Sequence, residues 1–380
     1  MDSTGRPSRP KVGGRRAPCP AGRIRGTPSI VLTTPRDLDD VRHRLTGWLR
    51  RTTGTDVRVG EIQKPSAGFS NDTLLFDVEH GGRSEALVAR LEPNEFHVFP
   101  EYDLGAQFRI LRCLAESDVP VPPARWFEGD ASILGSPFYV MERVAGEVPS
   151  EVPNYHMVGF LFDAPLPERA ALWWSGVDTM AKIHSLDWRR AGLDFLGVPG
   201  GGTDPIDRQL AYWRRYLAWA RDGRDWRILA ASLDWLQANR FAPAAVRLVW
   251  GDARLPNMLY RHGRVAAVLD WEMAFLGDPE TDLGWWLYMD WATGPGYGVP
   301  RLDGLPGREE TIARWEDRTG LRATHALWYE VFAAVRFGLI MARIARRMEE
   351  VGIPPPNPDF DLDQPNTRRL AELLDLPPPP

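Results

Sequence analysis

From residue 57 onward apolar and polar positions alternate, and this period of two predicts antiparallel strands over 57–62, 73–79 and 85–92. The last two are joined by a turn at His80-Gly81-Gly82-Arg83. Ahead of them, 36–51 places Leu38, Val41, Leu45 and Trp48 at helical spacing behind Thr34, which reads as a capped amphipathic helix. A second helical stretch, 105–116, ends at Val119-Pro120-Val121-Pro122-Pro123, where the prolines force an extended chain. Phe138-Tyr139-Val140-Met141 is then a buried strand. Beyond it the period lengthens to 3.6. Helices are predicted over 168–186, with Trp173, Val177, Met180 and His184 on one stripe, and over 204–222 and 226–239. The last long helix, 324–350, is expected to turn Leu327, Val331, Ala334, Val335, Gly338 and Leu339 inward. Strands early and helices late describe an α+β chain.

Composition narrows this little. The chain has 380 residues, 43% of them hydrophobic and 26% charged, which is ordinary for a globular protein. A net charge of -5 gives no reason to expect nucleic acid as a partner. No apolar run approaches the roughly 20 residues that cross a bilayer, so no membrane partner is expected. Two cysteines, Cys19 and Cys113, cannot build a disulfide framework or a cysteine-rich zinc site, and without a signal-peptide core the cytoplasm is the natural location. Residues 1–30 mix Arg and Lys with Pro and Gly and carry no period, which reads as a disordered basic tail. The Pro-rich segments after 353 read as a second tail.

Chemistry concentrates in 248–286, LVWGDARLPNMLYRHGRVAAVLDWEMAFLGDPETDLGWW. Asn257 follows Asp252 by five residues and Asp270 follows Asn257 by thirteen. Acid, amide and acid at these offsets suit phosphoryl transfer. One carboxylate takes the acceptor's proton, while an amide oxygen and a second carboxylate hold Mg2+, which prefers hard oxygen ligands. The same asparates read singly are ordinary turn caps. With its "GDxRxxN" and "VLDWEMAxLGDPxxDL" patterns the segment resembles the aminoglycoside phosphotransferase and choline kinase-like family, and weaker similarity runs from about Val57 to Arg346.

The resemblance implies a protein kinase-like, two-lobed α+β fold. A small antiparallel-sheet lobe with a helix would occupy 31–143 and bind nucleotide; a larger, mainly helical lobe over 144–352 would carry catalysis and the acceptor. It implies ATP as donor, with GTP open as the alternative, and Mg2+. Asp252 would be the catalytic base, and Asn257 and Asp270 the metal ligands. The loop at 65–72 stands where such folds lay a flap over phosphates, so Gly68, Ser70 and Asn71 become nucleotide contacts, although an ordinary hairpin loop reads the same. Arg90 stands at the phosphate-binding cation, where a solvated strand arginine is the plainer alternative. Its expected helix carboxylate is replaced by Gln107, leaving Glu101 as a substitute. The Glu142 carbonyl and Val144 amide would read the adenine edge at the hinge. His184 would brace the catalytic loop from within, and Asp282 would cap or brace it from a helix start. Many members carry His where Trp250 stands, a departure that bears on packing rather than on reaction.

The chain carries no Walker A, HExxH, GxSxG or GxGxxG motif, and Gly200-Gly201-Gly202 lacks the flanking strand and helix of a phosphate loop. Two other readings stay open. One is a catalytically silent nucleotide-binding module, supported by Gln107 and Trp250; the other is a two-carboxylate hydrolase. The acceptor, a small-molecule hydroxyl, is left open among aminoglycosides, choline-like alcohols, macrolides, sugars and hydroxyacyl thioesters. Oligomeric state is not legible.

Overall fold

A computed structural model describes residues 36–65, 71–197 and 204–380. Thr34, the 1–30 tail, Gly200-Gly201-Gly202, and Gly68 and Ser70 of the expected flap lie outside the described residues. Helix α1, Leu38–Thr53, is capped by the Asp37 side chain, which accepts the Asp39 and Asp40 amides, and it ends at left-handed Gly54. Strands β1 (Arg58–Val59), β2 (Asp72–His80) and β3 (Arg83–Leu91) follow, then α2 (Leu104–Leu114), β4 (Ala124–Glu128) and β5 (Phe138–Glu142). They form one antiparallel sheet in the order β1-β2-β3-β5-β4. His80 pairs with Arg83, and Gly81 and Gly82 both have positive φ, so the two-residue turn has the twist that a tight hairpin needs.

Strand alternation decides which way each side chain faces. Leu74, Phe76, Val78, Leu87, Ala89, Leu91, Phe138 and Val140 pack with Val41, Leu45 and Trp48 of α1 in a small core. Val88, Tyr139 and Met141 lie in a second, larger core with α2 and the helical lobe. Arg90, two residues from Val88, therefore points away from α1 and toward the second lobe.

That lobe comprises α3 (Phe160–Asp163), α4 (Leu166–Ser185), α5 (Pro205–Ala220), α6 (Arg227–Ala238), β6 (Arg247–Val249), β7 (Met258–Arg261), β8 (Arg264–Val268), β9 (Phe275–Gly277), α7 (Glu280–Thr293), α8 (Arg308–Thr319), α9 (Ala326–Glu350) and α10 (Pro365–Leu374). Among the described residues no helix is long and apolar enough to cross a membrane.

Helix α8 adds to the expected set; Glu310 reaches back to the Gly307 amide at 2.8 Å, and Trp315 is buried. Two expectations are corrected. Leu327 is 48% exposed, because Trp328 and Tyr329 take the inward positions of that turn and pack on Phe241. The Pro-rich tail after 353 is instead folded structure: α10 lies on α9 and α6, burying Leu370 and Ala371, while Gln364 Nε2 donates to the Gly338 carbonyl at 3.0 Å. Proline at the first turn of α10 starts that helix rather than preventing it.

Glu280, in the first turn of α7, caps the neighbouring helix: its carboxylate accepts the Thr324 and His325 amides at 3.1 and 2.9 Å, at the start of α9. Burial pushes its pKa up to about 7, against those two hydrogen bonds and with help from Asp278. A carboxyl raised above its unfolded value binds its proton more tightly in the folded chain. Its contribution is therefore greatest at low pH and falls as pH rises from the unfolded value of 4.5 to about 7. Up to about 3 kcal/mol of stability should be lost over that interval through this one group. In Glu280→Gln the loss is absent, so the stability difference, wild type minus variant, should shrink between pH 5 and pH 8 in urea unfolding; a constant difference would disprove the linkage.

Candidate active site

Strand β6 delivers the chain into a tight loop, Trp250-Gly251-Asp252, that ends the small sheet with β9. Gly251 has φ 92°, and a Cβ there would stand 2.1 Å from the Met273 carbonyl, so only glycine fits. Asp252 is held on every side. The Trp285 indole donates to its Oδ1 at 2.8 Å, and Asn257 Nδ2 to its Oδ2 at 2.6 Å. Arg254 Nε reaches both oxygens at 3.2 and 3.1 Å while its Nη1 holds Glu151.

The twelve residues between Asn257 and Asp270 are spanned by a hairpin. Strands β7 and β8 pair Met258 with Val268 and turn at His262-Gly263, both with positive φ. The Leu269 amide then donates to the Asn257 carbonyl at 2.8 Å, which sets the two expected metal ligands side by side. Asp270 itself sits at φ 59°, an uncommon conformation for a residue with a side chain. Its carboxyl is raised above the ordinary value, by burial first and by the nearby Asp252 charge, although Arg90 opposes both.

Arg90 crosses from the sheet to this point: Nη2 to Asp270 Oδ1 at 3.3 Å and Nη1 to Thr73 Oγ1 at 3.0 Å. Burial works against its charge, but Asp270, Tyr139 and Glu272 hold its pKa above the usual arginine value. Neither Gln107 nor Glu101 is hydrogen-bonded to it among the described residues; Gln107 is buried, and its Oε1 finds no partner. Asn71, at the end of the expected flap, donates through Nδ2 to Glu272 Oε2 at 2.6 Å, joining the N-terminal sheet to the loop after Asp270. At the hinge, the Glu142 amide is spent on the Pro123 carbonyl at 2.9 Å and the Arg143 amide on Ala86 at 2.9 Å. The Glu142 carbonyl and Val144 amide lie at the end of β5, where the sheet gives way to the second lobe.

Behind the loop lies its support. Asp282, with no exposed surface, accepts the Trp250 amide at 2.7 Å and the Gly251 amide at 2.8 Å. It also receives His184 Nε2 at 3.0 Å, and the Trp315 indole donates to His184 Nδ1 at 2.9 Å. Because Nδ1 accepts, the imidazole proton must be on Nε2, directed at Asp282. Asp282 does not cap its own helix. Trp250 adds a second brace, its indole N-H shared between the Leu269 and Asp270 carbonyls at 2.8 and 3.0 Å. The residue that departs from the family pattern thereby ties the Asp252 loop to the Asp270 loop.

Beside Asp252, Glu151, Asn154, Trp173, Arg254, Trp286 and Asp290 line a small cavity. Asp290 is taken up by Tyr155 at 2.9 Å and Arg301 at 2.5 Å, and Glu151 by Arg254. Arg254 and Trp285 were not singled out from the sequence, although Arg254 lies inside the GDxRxxN pattern itself.

The profile of the phosphotransferase enzyme family, APH, matches residues 61–323. The chain belongs to this family. Among curated relatives of this APH chain, acyl-CoA dehydrogenase family member 11 of Mus musculus is 32% identical over 295 residues, 75% of this chain but 36% of that protein. The Homo sapiens protein of the same name is 28% identical over 285 residues, 70% of this chain and 33% of that one. The chain therefore spans about a third of the length of these relatives. Among solved structures, a Ralstonia eutropha protein provisionally named an aminoglycoside phosphotransferase superposes with a TM-score of 0.65 at 26% identity, covering 87% of this chain and 96% of that one. A thermostable mutant of aminoglycoside phosphotransferase APH(4)-Ia gives a TM-score of 0.55 at 18% identity, covering 87% and 98%, a likeness of fold.

The bracing predicts a stability effect in this APH chain. Asp282→Asn replaces one acceptor oxygen by a donor facing buried N-H groups and should cost about 2–4 kcal/mol. Urea unfolding measures this; a change under 0.5 kcal/mol would show that Asp282 is not the shared anchor.

Proposed function

We propose that this family member transfers the γ-phosphate of ATP, GTP being the alternative donor, to a hydroxyl of a small molecule with the help of Mg2+. The observation that carries this reading is the convergence of Asp252, Asn257 and Asp270 through the β7–β8 hairpin, with Arg90 reaching Asp270 from the other lobe. The donor set suits a hard divalent cation. Asn257 has its nitrogen committed to Asp252, which leaves its amide oxygen as the ligand atom. Asp270 is raised by burial first and then by Asp252, against Arg90 and Arg254, and a bound cation would favour its charged form. Asn257 and Asp270 would hold Mg2+, which neutralises charge on the phosphate oxygens.

The chain's own groups do the rest. Asp252, its carboxylate fixed by Trp285 and Asn257, takes the proton of the acceptor hydroxyl as the new oxygen–phosphorus bond forms. The bond from the γ-phosphorus to the bridging oxygen breaks, and ADP carries away that electron pair. Arg90 would contact the nucleotide phosphates with Asn71 beside them, and the Glu142 carbonyl and Val144 amide would read the base; Gly68 and Ser70, the other expected phosphate contacts, lie outside the described residues. Related folds support nucleotide use: mutants of APH(4)-Ia form ternary complexes with AMP-PNP or ADP and hygromycin B.

For the acceptor, both acids of the cavity are already paired with arginines, which disfavours a polycation. The exposed apolar residues Val148, Val152, Met157, Phe162 and Leu166 share one segment with Glu151 and Asn154 of the cavity. Together with the acyl-CoA names of the relatives, this favours an acceptor with an apolar part and puts hydroxyacyl thioesters first in a screen. The orphaned Gln107 oxygen is the one observation on the side of a silent nucleotide-binding module.

Asp252→Ala should remain folded while transfer falls about 10²–10⁴-fold, read as ADP release across an acceptor panel. Asp270→Asn should abolish the Mg2+-dependent part of the thermal shift given by AMP-PNP. Full turnover in the first variant would sink the assignment of the base. Nucleotide binding without turnover in the wild type would leave the silent module.

A further inference from the structure

Arg336 lies on α9 with 1% of its surface exposed. Its guanidinium is packed 4.3 Å from the Trp285 ring centre, with Phe332 and Trp213 at 5.3 and 5.4 Å. One nitrogen, Nη2, donates to the Gly251 carbonyl at 2.6 Å. The other two, Nε and Nη1, have no hydrogen-bond partner among the described residues. An arginine held in this way is costly, because its charge is desolvated and two donors are left unpaired. A leucine or methionine would fill an aromatic cage with less penalty. The residue is therefore poorly explained as packing.

Its contacts suggest another purpose. The Gly251 carbonyl belongs to the peptide that joins Gly251 to Asp252. The ring beneath the guanidinium is Trp285, whose indole N-H fixes Asp252 Oδ1. The same cation thus grips the backbone of the base directly and its carboxylate through one intermediary, while Asp282 and Asp252 offset its charge without bonding to it. We propose that Arg336 is a positioning residue for phosphoryl transfer, setting where the Asp252 carboxylate points through the Gly251 carbonyl and the Trp285 indole. This rests on Asp252 being the base. Displacing a positioned group by about 1 Å can cost on the order of 10²-fold in rate while leaving binding intact.

The test uses the whole chain with MgATP, water taking the acceptor's place, and AMP-PNP as the binding probe. Arg336→Met should lower kcat for ATP hydrolysis about 10–100-fold with KM for MgATP and Kd for AMP-PNP unchanged within twofold. Arg336→Lys keeps a donor and a charge under the same rings and should recover most of that loss. Trp285→Phe keeps the ring but removes the N-H to Asp252; it should lower kcat at least about fivefold, again with KM unchanged. Wild-type kcat in Arg336→Met or Trp285→Phe overturns the proposal, as does Arg336→Lys no better than Arg336→Met. If Arg336→Met does not fold, Trp285→Phe decides alone. A wild-type chain that binds AMP-PNP but transfers phosphate neither to water nor to any acceptor of the panel removes the phosphotransfer reading, and this one with it.

Discussion

A buried carboxylate must be fully hydrogen-bonded or it destabilises the fold, and Asp282 meets that demand by holding the loop that carries Asp252. It sits in the first turn of α7, where the helix dipole favours negative charge. Its oxygens take two consecutive backbone amides, of Trp250 and Gly251, and the His184 side chain. Through His184 the connection runs on to Trp315, so α4, α7 and α8 all fix the loop that presents Asp252. Removing any one of them would leave a buried donor or acceptor unsatisfied, at about 1–3 kcal/mol each.

The second constraint is strand pairing. The β7–β8 hairpin turns a separation along the chain into adjacency in space, and its register with Met258 opposite Val268 decides that Asn257 and Asp270 meet. The sheet of the other lobe works by parity: Leu87, Ala89 and Leu91 face α1, which leaves Arg90 facing Asp270. Both lobes thus contribute charge to one point by simple alternation.

These features explain what the sequence disclosed. Asp252, Asn257 and Asp270 stood out as candidates because short loops and a tight hairpin impose fixed spacing. Strands β1, β2, β3 and β5 and helices α1, α2, α4, α5, α6 and α9 were legible from periodicity, whereas β9 and α8 were not, and the family was legible from the motif. The partner of Arg90 was not, since Asp270 lies 180 residues away and no local pattern links them. Arg336 was hidden for a different reason. In AAVRFGLI a charge normally marks the solvent side of a helix, and only the aromatic residues that gather around it from α5 and α7 reveal that it is inside. The last segment was misjudged because its prolines outweighed a short amphipathic stretch at 365–374, whose burial depends on the distant Gly338 and Tyr288.

The way the hairpin closes also governs how such a chain can vary. Lengthening β7 and β8 together by one residue each would move the His262-Gly263 tip outward and leave Asn257 opposite Leu269 untouched. The hairpin already carries one register shift, between the Leu259–Ala267 and Tyr260–Val265 pairs, and a further unpaired residue in one strand between that shift and Asp270 would turn the following side chains to the other face. Related chains should therefore tolerate length changes between these two positions in steps of two, which makes even-numbered insertion a natural point for grafting new sequence onto this scaffold without disturbing its chemistry.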